Sequence, residues 1–307
     1  MYSVLYTLYF GKSSKLVFKI NIMEDVMERN SKLKPLLLVL PSFIIMVVVI
    51  MIPILNSLIL SFHDEKKNTY DLSNYQSIFS DKGQVSNIKY TLYIVVITVI
   101  LCMIISFAFA LYLRFSTSRV AHILEKIYII PKFVPSIVAV YAIMLIIKDT
   151  GVINRFLLVF GINYKPGIMF TAKGIILANL WFNIPFSTML IHSSLTGISD
   201  SIIESARDIG ANKLTIAAKV IFPLSLRTIM IAAIFVFMGN IGEFTTPYLM
   251  GTNSPRMLGV ALQQEFGTFY NLPRAAAMSV MMFIISAVVG SFYIASMMKE
   301  DKWASRS

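Results

Sequence analysis

The chain has 307 residues, of which 57% are hydrophobic and only 14% charged, with a mean hydropathy of +0.74. A soluble domain carries roughly 25% charged residues, so this composition excludes an ordinary water-soluble protein. The net charge of +11 does not signal nucleic acid, because the basic residues mostly flank apolar runs, and the single cysteine, Cys102, excludes an intrachain disulfide.

Leu36–Phe62, Tyr90–Leu113 and Ala275–Met298 contain no Asp, Glu, Lys or Arg. Each exceeds the ~20 residues that carry a helix across a ~30 Å hydrocarbon core. Backbone groups in lipid must bond within their own segment, so such runs are helices. The reading is an all-α integral membrane protein. At the start, residues 1–34 form a cytoplasmic or interfacial segment. Its first ten residues are apolar but too short to cross, and Lys12, Lys15 and Lys19 follow the apolar part where a signal peptide's charges would precede it. Residues 1–26 read either as interfacial or as an over-extended start ahead of Met27.

A single transmembrane domain is expected over 35–298, with spans at about 35–62, 90–113, 127–147, 174–194, 228–249 and 274–298. Residues 299–307 make a short tail. Placing both termini in the cytoplasm puts 1–34, 114–126, 195–227 and 299–307 inside, and these carry the larger share of Lys and Arg. Lys132 interrupts the third span near its inner end and is expected to snorkel; Glu243 falls inside the fifth. Pro41, Pro53, Pro131, Pro135 and Pro185 lie within spans and permit kinks. They mark either a pathway, where a cavity satisfies freed carbonyls, or the ordinary abundance of proline in membrane helices.

The polar loop 195–227 between spans 4 and 5 reads as two short helices around a glycine. Ser201 and Glu204 have the spacing of a capping box. Ile202, Ala206 and Ile209 recur at helical spacing, and Gly210 is placed to end the helix in the left-handed conformation. Asn212 caps a second helix with Leu214, Ala217, Ala218 and Ile221 on one face, and Pro223 ends the loop or opens span 5. An apolar face on such a pair needs a cover. Either the protein's own membrane helices or a groove on a partner provides it.

This segment resembles the EAA loop of type I ABC-importer permeases, usually Glu-Ala-Ala, three residues and Gly, closed further on by Leu-Pro. Glu204, Ala206, Gly210 and Pro223 fall on matching positions, while Ser205 and Phe222 replace the usual Ala and Leu. The resemblance runs over roughly residues 30–300, including the Leu-Pro opening of span 1 and Ser73-Asn74-Tyr75 after it. The stretch with Gly242, Glu243, Phe244, Pro247, Leu249 and Gly251, and the entry to span 6 from Asn271 to Ala277, are similar to the spermidine/putrescine branch. The resemblance implies a multi-pass permease subunit in a bacterial cytoplasmic membrane, working with two ATPase subunits, a second permease of the same or a different chain, and an external solute-binding protein. It puts the ATPase-coupling contact on Glu204, Ser205, Ala206, Arg207, Asp208, Gly210, Ala211 and Pro223. Glu243, Phe244, Pro247 and Trp181 become candidates for the solute pathway, with a structural hydrogen bond or helix-end role near the outer mouth as the alternative for Glu243. Polyamine is the favoured solute; aminoethylphosphonate, iron(III), thiamine and sugars are the alternatives within this class.

No catalytic machinery is expected in the chain. Gly11-Lys12-Ser13 lacks the glycine that a P-loop places five residues earlier, where Tyr6 stands. No nucleophile–base pair, metal-ligand cluster or cofactor motif stands out, so ATP hydrolysis is expected on a separate subunit. An ion-coupled secondary transporter, the competing class, would carry more intramembrane acids and internal repeats. Glu265 reads as a solvated external charge, His192 as interfacial packing, and Tyr128, Trp181 and Trp303 as interface anchors or core packing. His63 and His122 lie in loops.

Overall fold

The computed structural model describes residues 39–65 and 67–304, with side-chain burial to Ser291. The readings of residues 1–34, of the end of the tail and of the Trp303 side chain lie outside the described residues. Among the described residues, six helices are long and apolar enough to cross a membrane: span 1, Val39–Ser61; span 2, Lys82–Phe115; span 3, Ser136–Leu158; span 4, Ala172–Thr196; span 5, Lys213–Ile241; and span 6, Leu272–Ser291. The helix of span 6 continues to Ala304. Among the described residues the only strands are the short antiparallel pair His63–Asp64 and Thr69–Tyr70, so the fold is all-α.

Residues 39–57 belong to one unit and 58–304 to another. In the first, the helix widens into a π turn over Val47–Met51, just before Pro53. Proline has no N–H and its ring collides with the carbonyl four residues back, a clash that a wider turn relieves.

In the second unit, the chain leaving span 1 is held by the Asn-Tyr pair noted in the sequence. The Asn74 amide donates to the carbonyls of Ser61 (3.1 Å) and His63 (2.9 Å), and the Tyr75 hydroxyl donates to Ser61 Oγ (2.8 Å). Span 2 starts at Lys82 because the Asp81 carboxylate accepts from the N–H groups of Gly83 and Gln84, satisfying two first-turn donors.

The expected third span of 127–147 is divided. Arg119–Ile127 is a separate helix, Ile130–Phe133 a tight 3₁₀ turn, and the next helix begins only at Ser136, after Pro135. Proline pushes its predecessor into extended backbone, and Val134 has ψ 125°. Beyond Ile147 the chain turns at Lys148–Gly151 before the helix Val152–Leu158. A Cβ on Gly151 would meet three carbonyl oxygens at 2.6–2.7 Å, so this close turn requires glycine.

Spans 2, 4 and 5 pack against one another and form the centre of the bundle. One core cluster joins Ile94, Val95, Ile175, Ile176, Phe237, Ile241 and Met257. At the opposite end of the same spans, Ala110, Ile191, Leu195, Ile221 and Ile229 form a second cluster, which also takes in Ile203 and Ile216 from the loop. The helix Leu258–Gly267 lies between span 6 and span 2.

Candidate functional site

The loop helix spans Asp200–Asp208 and its N-cap is Ser199, two residues before the Ser201 expected from the capping-box spacing. The Ile202 N–H donates to the Ser199 carbonyl at 3.2 Å, and Ser201 Oγ pairs with Ser199 Oγ at 3.0 Å. The earlier start puts Asp200 in the first turn, where the helix dipole favours a carboxylate. There it pairs with Arg114 at the end of span 2. Glu204 therefore lies in the body of the helix, exposed, with Ser205, Arg207 and Asp208 also exposed.

The helix ends as the sequence indicates. Gly210 has φ +86°, its N–H donates to the Arg207 carbonyl (2.9 Å), and the Ala211 N–H donates to the Ala206 carbonyl (3.1 Å). These paired bonds form a Schellman closure, which satisfies carbonyls otherwise left open at a helix end. Ala206 and Ala211, both half-buried, pack on the second cluster beside it. Asn212 then caps the second helix by accepting from the Thr215 N–H at 2.8 Å.

The apolar residues of the loop divide between two surfaces. Ile203 (5% exposed), Ile216 and Ile221 are buried against the membrane helices. Ile209 and Leu214, expected on the same stripes, point outward at 87% and 81% exposure on either side of Gly210. Both covers left open by the sequence thus have residues available: one face is folded onto the bundle, the other is free.

The second loop helix is not separate from span 5. Lys213–Ile216 runs through a π turn at Ala217–Ile221 into Phe222–Ile241 as one helical element. Pro223 stands at the start of the α-helical part rather than at a loop boundary. The wide turn before it plays the same part as the one before Pro53.

At the other end, span 5 stops at Ile241, and Glu243 lies in a break rather than within the span. Its carboxylate accepts from the Thr246 N–H with both oxygens (2.9 and 3.2 Å), capping the short helix Thr245–Met250. Phe244 stacks on Tyr248 with ring centroids 4.8 Å apart, and Tyr248 is exposed. Pro247 is buried, so its ring shapes the turn. A Cβ on Gly259 would lie 2.4 Å from the Glu243 carbonyl oxygen, so only glycine lets the helix Leu258–Gly267 close on this break. Glu243, Phe244 and Pro247 come together in one turn, while half-exposed Trp181 stands on span 4.

Two polar contacts here carried no sequence signal. Asn183 of span 4 donates to Asn240 of span 5 at 3.4 Å, and Asn240, buried, donates to the Val236 carbonyl at 2.6 Å. Neutral amides do not stand out in an apolar helix as a charge does.

Glu265 is not solvated. It is 4% exposed, 3.5 Å from Arg274 Nε, and accepts from the Gln84 amide at 3.4 Å. Arg274 also reaches Asp81 at 3.0 Å. Burial pushes the Glu265 carboxyl above its ordinary range; Arg274 opposes this and the Asp81 charge adds to it. The burial comes from helix packing, which local sequence does not reveal. Lys132, with its ammonium 5.5 Å from the Phe186 ring centroid, rests on span 4 as a cation–π contact.

Six apolar helices among the described residues, three of them packed into one core with a helix–glycine–helix loop at its end, are the frame of a membrane transport permease. Residues 106–297 match the family of binding-protein-dependent transport system inner membrane components, and the chain belongs to that family. It is the inner-membrane permease of an ABC importer. It is 26% identical over 224 residues to the spermidine/putrescine transport system permease protein PotB of Escherichia coli (strain K12), covering 73% of this chain and 81% of that protein. It is 24% identical over 234 residues to the inner membrane ABC transporter permease protein YdcU of the same organism, covering 72% and 74%. Among solved structures, a bacterial ABC transporter involved in the import of the acidic polysaccharide alginate shares the fold with TM-score 0.75 at 16% identity, covering 90% of this chain and 98% of that one. The methionine ABC transporter MetNI, in an inward-facing conformation, shares it with TM-score 0.54 at 17% identity, covering 69% and 93%.

Proposed function

We propose that this permease imports a polyamine, driven by ATP hydrolysis on separate ATPase subunits that dock on the loop Asp200–Ile221. The observation that carries the docking site is the pair Ile209 and Leu214, two large apolar side chains left in water on either side of the Gly210 turn. Exposed apolar residues grouped at one turn lower their free energy by entering a groove on a partner. Glu204, Ser205, Arg207 and Asp208 are exposed on the helix that leads to them and offer polar contacts, and Ala206, Gly210 and Ala211 hold the turn. Pro223 and its wide turn carry a push at Leu214 along one helix into span 5. Alternating access then follows from movement of span 5 against spans 2 and 4.

The polyamine assignment rests on the similarity to PotB and on the chemistry after span 5. Glu243 keeps acceptor capacity beyond its capping bond. The Phe244–Tyr248 stack beside it offers aromatic faces to a cation. Trp181 on span 4 is a further aromatic along the route, and Pro247 fixes the turn. A solute-binding protein delivers the cation on this side, a second permease completes the pathway, and both termini lie in the cytoplasm. The same frame with another delivery protein would carry aminoethylphosphonate, iron(III), thiamine or a sugar, and the assay separates these.

The test is proteoliposomes holding the permease, its pairing permease, the ATPase and the binding protein, with labelled spermidine and ATP. Uptake is expected to require ATP and to be competed by putrescine rather than by aminoethylphosphonate, iron(III), thiamine or sugar. Ile209→Asp with Leu214→Asp is expected to abolish ATPase co-purification while the permease keeps its melting temperature. Full uptake without any ATPase would overturn the reading.

A further inference from the structure

Between span 2 and the 3₁₀ turn at Ile130 lies the helix Arg119–Ile127, which has no part in the docking loop or the outer break. Its Ser118 cap accepts from the Ala121 N–H at 3.1 Å. At about 100° per residue, Val120, Ile123, Leu124 and Ile127 fall within roughly a 100° arc. Val120, Ile123 and Ile127 are exposed at 57%, 58% and 43%. Ala121, on one side of this arc, is buried against the protein. Arg119 and Lys126 line its other border, and His122 and Glu125 point away from it. Among the described residues neither Arg119 nor Lys126 is ion-paired.

The depth of the helix is set by its two ends. It begins four residues after Phe115, where the helix of span 2 ends just past Arg114. It ends at Tyr128, whose ring sits edge-on to Phe109 with centroids 5.9 Å apart. Phe109 lies six residues back inside span 2, about 9 Å along the helix axis. The chain therefore turns back along span 2, and by Tyr128 it lies beside the apolar run of that span. The stripe continues past the helix into Ile130 and Phe133, both exposed.

We propose that Arg119–Ile127 lies in the membrane surface of the inner leaflet and binds anionic phospholipid. Val120, Ile123 and Ile127 enter the acyl boundary, while Arg119 and Lys126 meet headgroup phosphates at its edge. An apolar stripe bordered by cations suits that boundary, and each surface cation near an anionic leaflet adds attraction. The occupant is lipid because the exposed stripe runs on through Ile130 and Phe133 into the exposed Ile137, Val138 and Tyr141 of span 3, and because its charged border is cationic. The leaflet assignment rests on the inside placement of this loop under the proposed function.

The test uses the full chain assembled with its partner subunits in vesicles of phosphatidylcholine, with or without phosphatidylglycerol. Cys102, buried, is replaced by Ser, and a single cysteine at Ile123→Cys or Glu125→Cys carries a fluorophore. The Ile123 probe is expected to be quenched several-fold more by lipid-borne nitroxide than by aqueous iodide, with the reverse at Glu125. Arg119→Gln with Lys126→Gln is expected to cut association of spin-labelled phosphatidylglycerol at least two-fold and to leave phosphatidylcholine unchanged. Equal access of iodide to both probes would overturn the proposal. So would protection of the Ile123 probe from both quenchers, which would mean a protein cover. ATPase co-purification, scored on the same samples, reports separately on the docking reading.

Discussion

Gly210 holds φ +86° with nothing within 4 Å of where its Cβ would stand, so the constraint there is backbone conformation and not space. For an L-residue the left-handed conformation costs roughly 1–2 kcal/mol, and Asn bears it better than a β-branched residue. Gly210→Val is expected to lower the melting temperature and to reduce ATP-driven uptake sharply, because the Schellman closure that presents Ile209 and Leu214 would shift. Gly210→Asn is expected to keep most of both. Equal loss in the two variants, measured by thermal unfolding and by uptake, would mean that the turn is not what matters. Gly210 and Asn212 were legible in the sequence because a left-handed closure and an N-cap involve only nearby residues. The position of the other cap was not. Ser199, rather than Ser201, starts the helix that Arg114 meets through Asp200, and that pairing links distant parts of the chain.

The loop helices work through the division of their apolar residues. Ile203 is part of the inner core with Ala110, Ile191 and Leu195, whereas neighbouring Ile202 is 45% exposed. Truncating a buried Ile removes transfer energy and leaves a cavity, costing about 2–5 kcal/mol; a surface change stays within about 0.5 kcal/mol. Ile203→Ala is expected to lower the melting temperature clearly and to loosen the loop, seen as faster amide exchange over 200–221. Ile202→Ala is expected to leave both near wild type. The spans were readable from uncharged runs, since lipid demands continuous apolar helices. Which loop face turns inward was not, because Ile202, Ile203 and Ile209 are the same residue type and only tertiary packing separates them. The division of the expected third span at Pro131 and Pro135 belongs between these cases. The prolines are visible in the sequence, but whether a helix bends or stops at them depends on what its neighbours allow.

Across the molecule, Arg274 ties together the starts of spans 2 and 6 and the helix Leu258–Gly267, through Asp81 at 3.0 Å and Glu265 at 3.5 Å. Because burial raises the Glu265 carboxyl above its ordinary 4.5, the folded protein holds that proton more tightly than the unfolded chain. Stability from this group therefore falls as pH rises from about 4.5 through the folded value. Asp81 has the opposite sign. Desolvation raises its carboxyl, but bonds from Gly83, Arg274 and Gln84 outweigh that and hold it below its ordinary 3.8. Its contribution is present above that value and is lost only at lower pH, so of these two carboxyls only Glu265 gives up stability as pH rises above its ordinary range. Removing the cation by Arg274→Gln leaves a buried carboxylate without its charge partner, a loss of about 1–3 kcal/mol at pH 7. It also raises the Glu265 carboxyl further, so acidification to about pH 5 is expected to restore part of the melting temperature as the proton returns. Adding Glu265→Gln to Arg274→Gln is expected to flatten that dependence, because no buried charge remains to be neutralised. Thermal unfolding of the three proteins at the two pH values decides the matter. A deficit in Arg274→Gln that is the same at both would show that Arg274 acts through Asp81 and span 2 alone, with Glu265 outside the linkage.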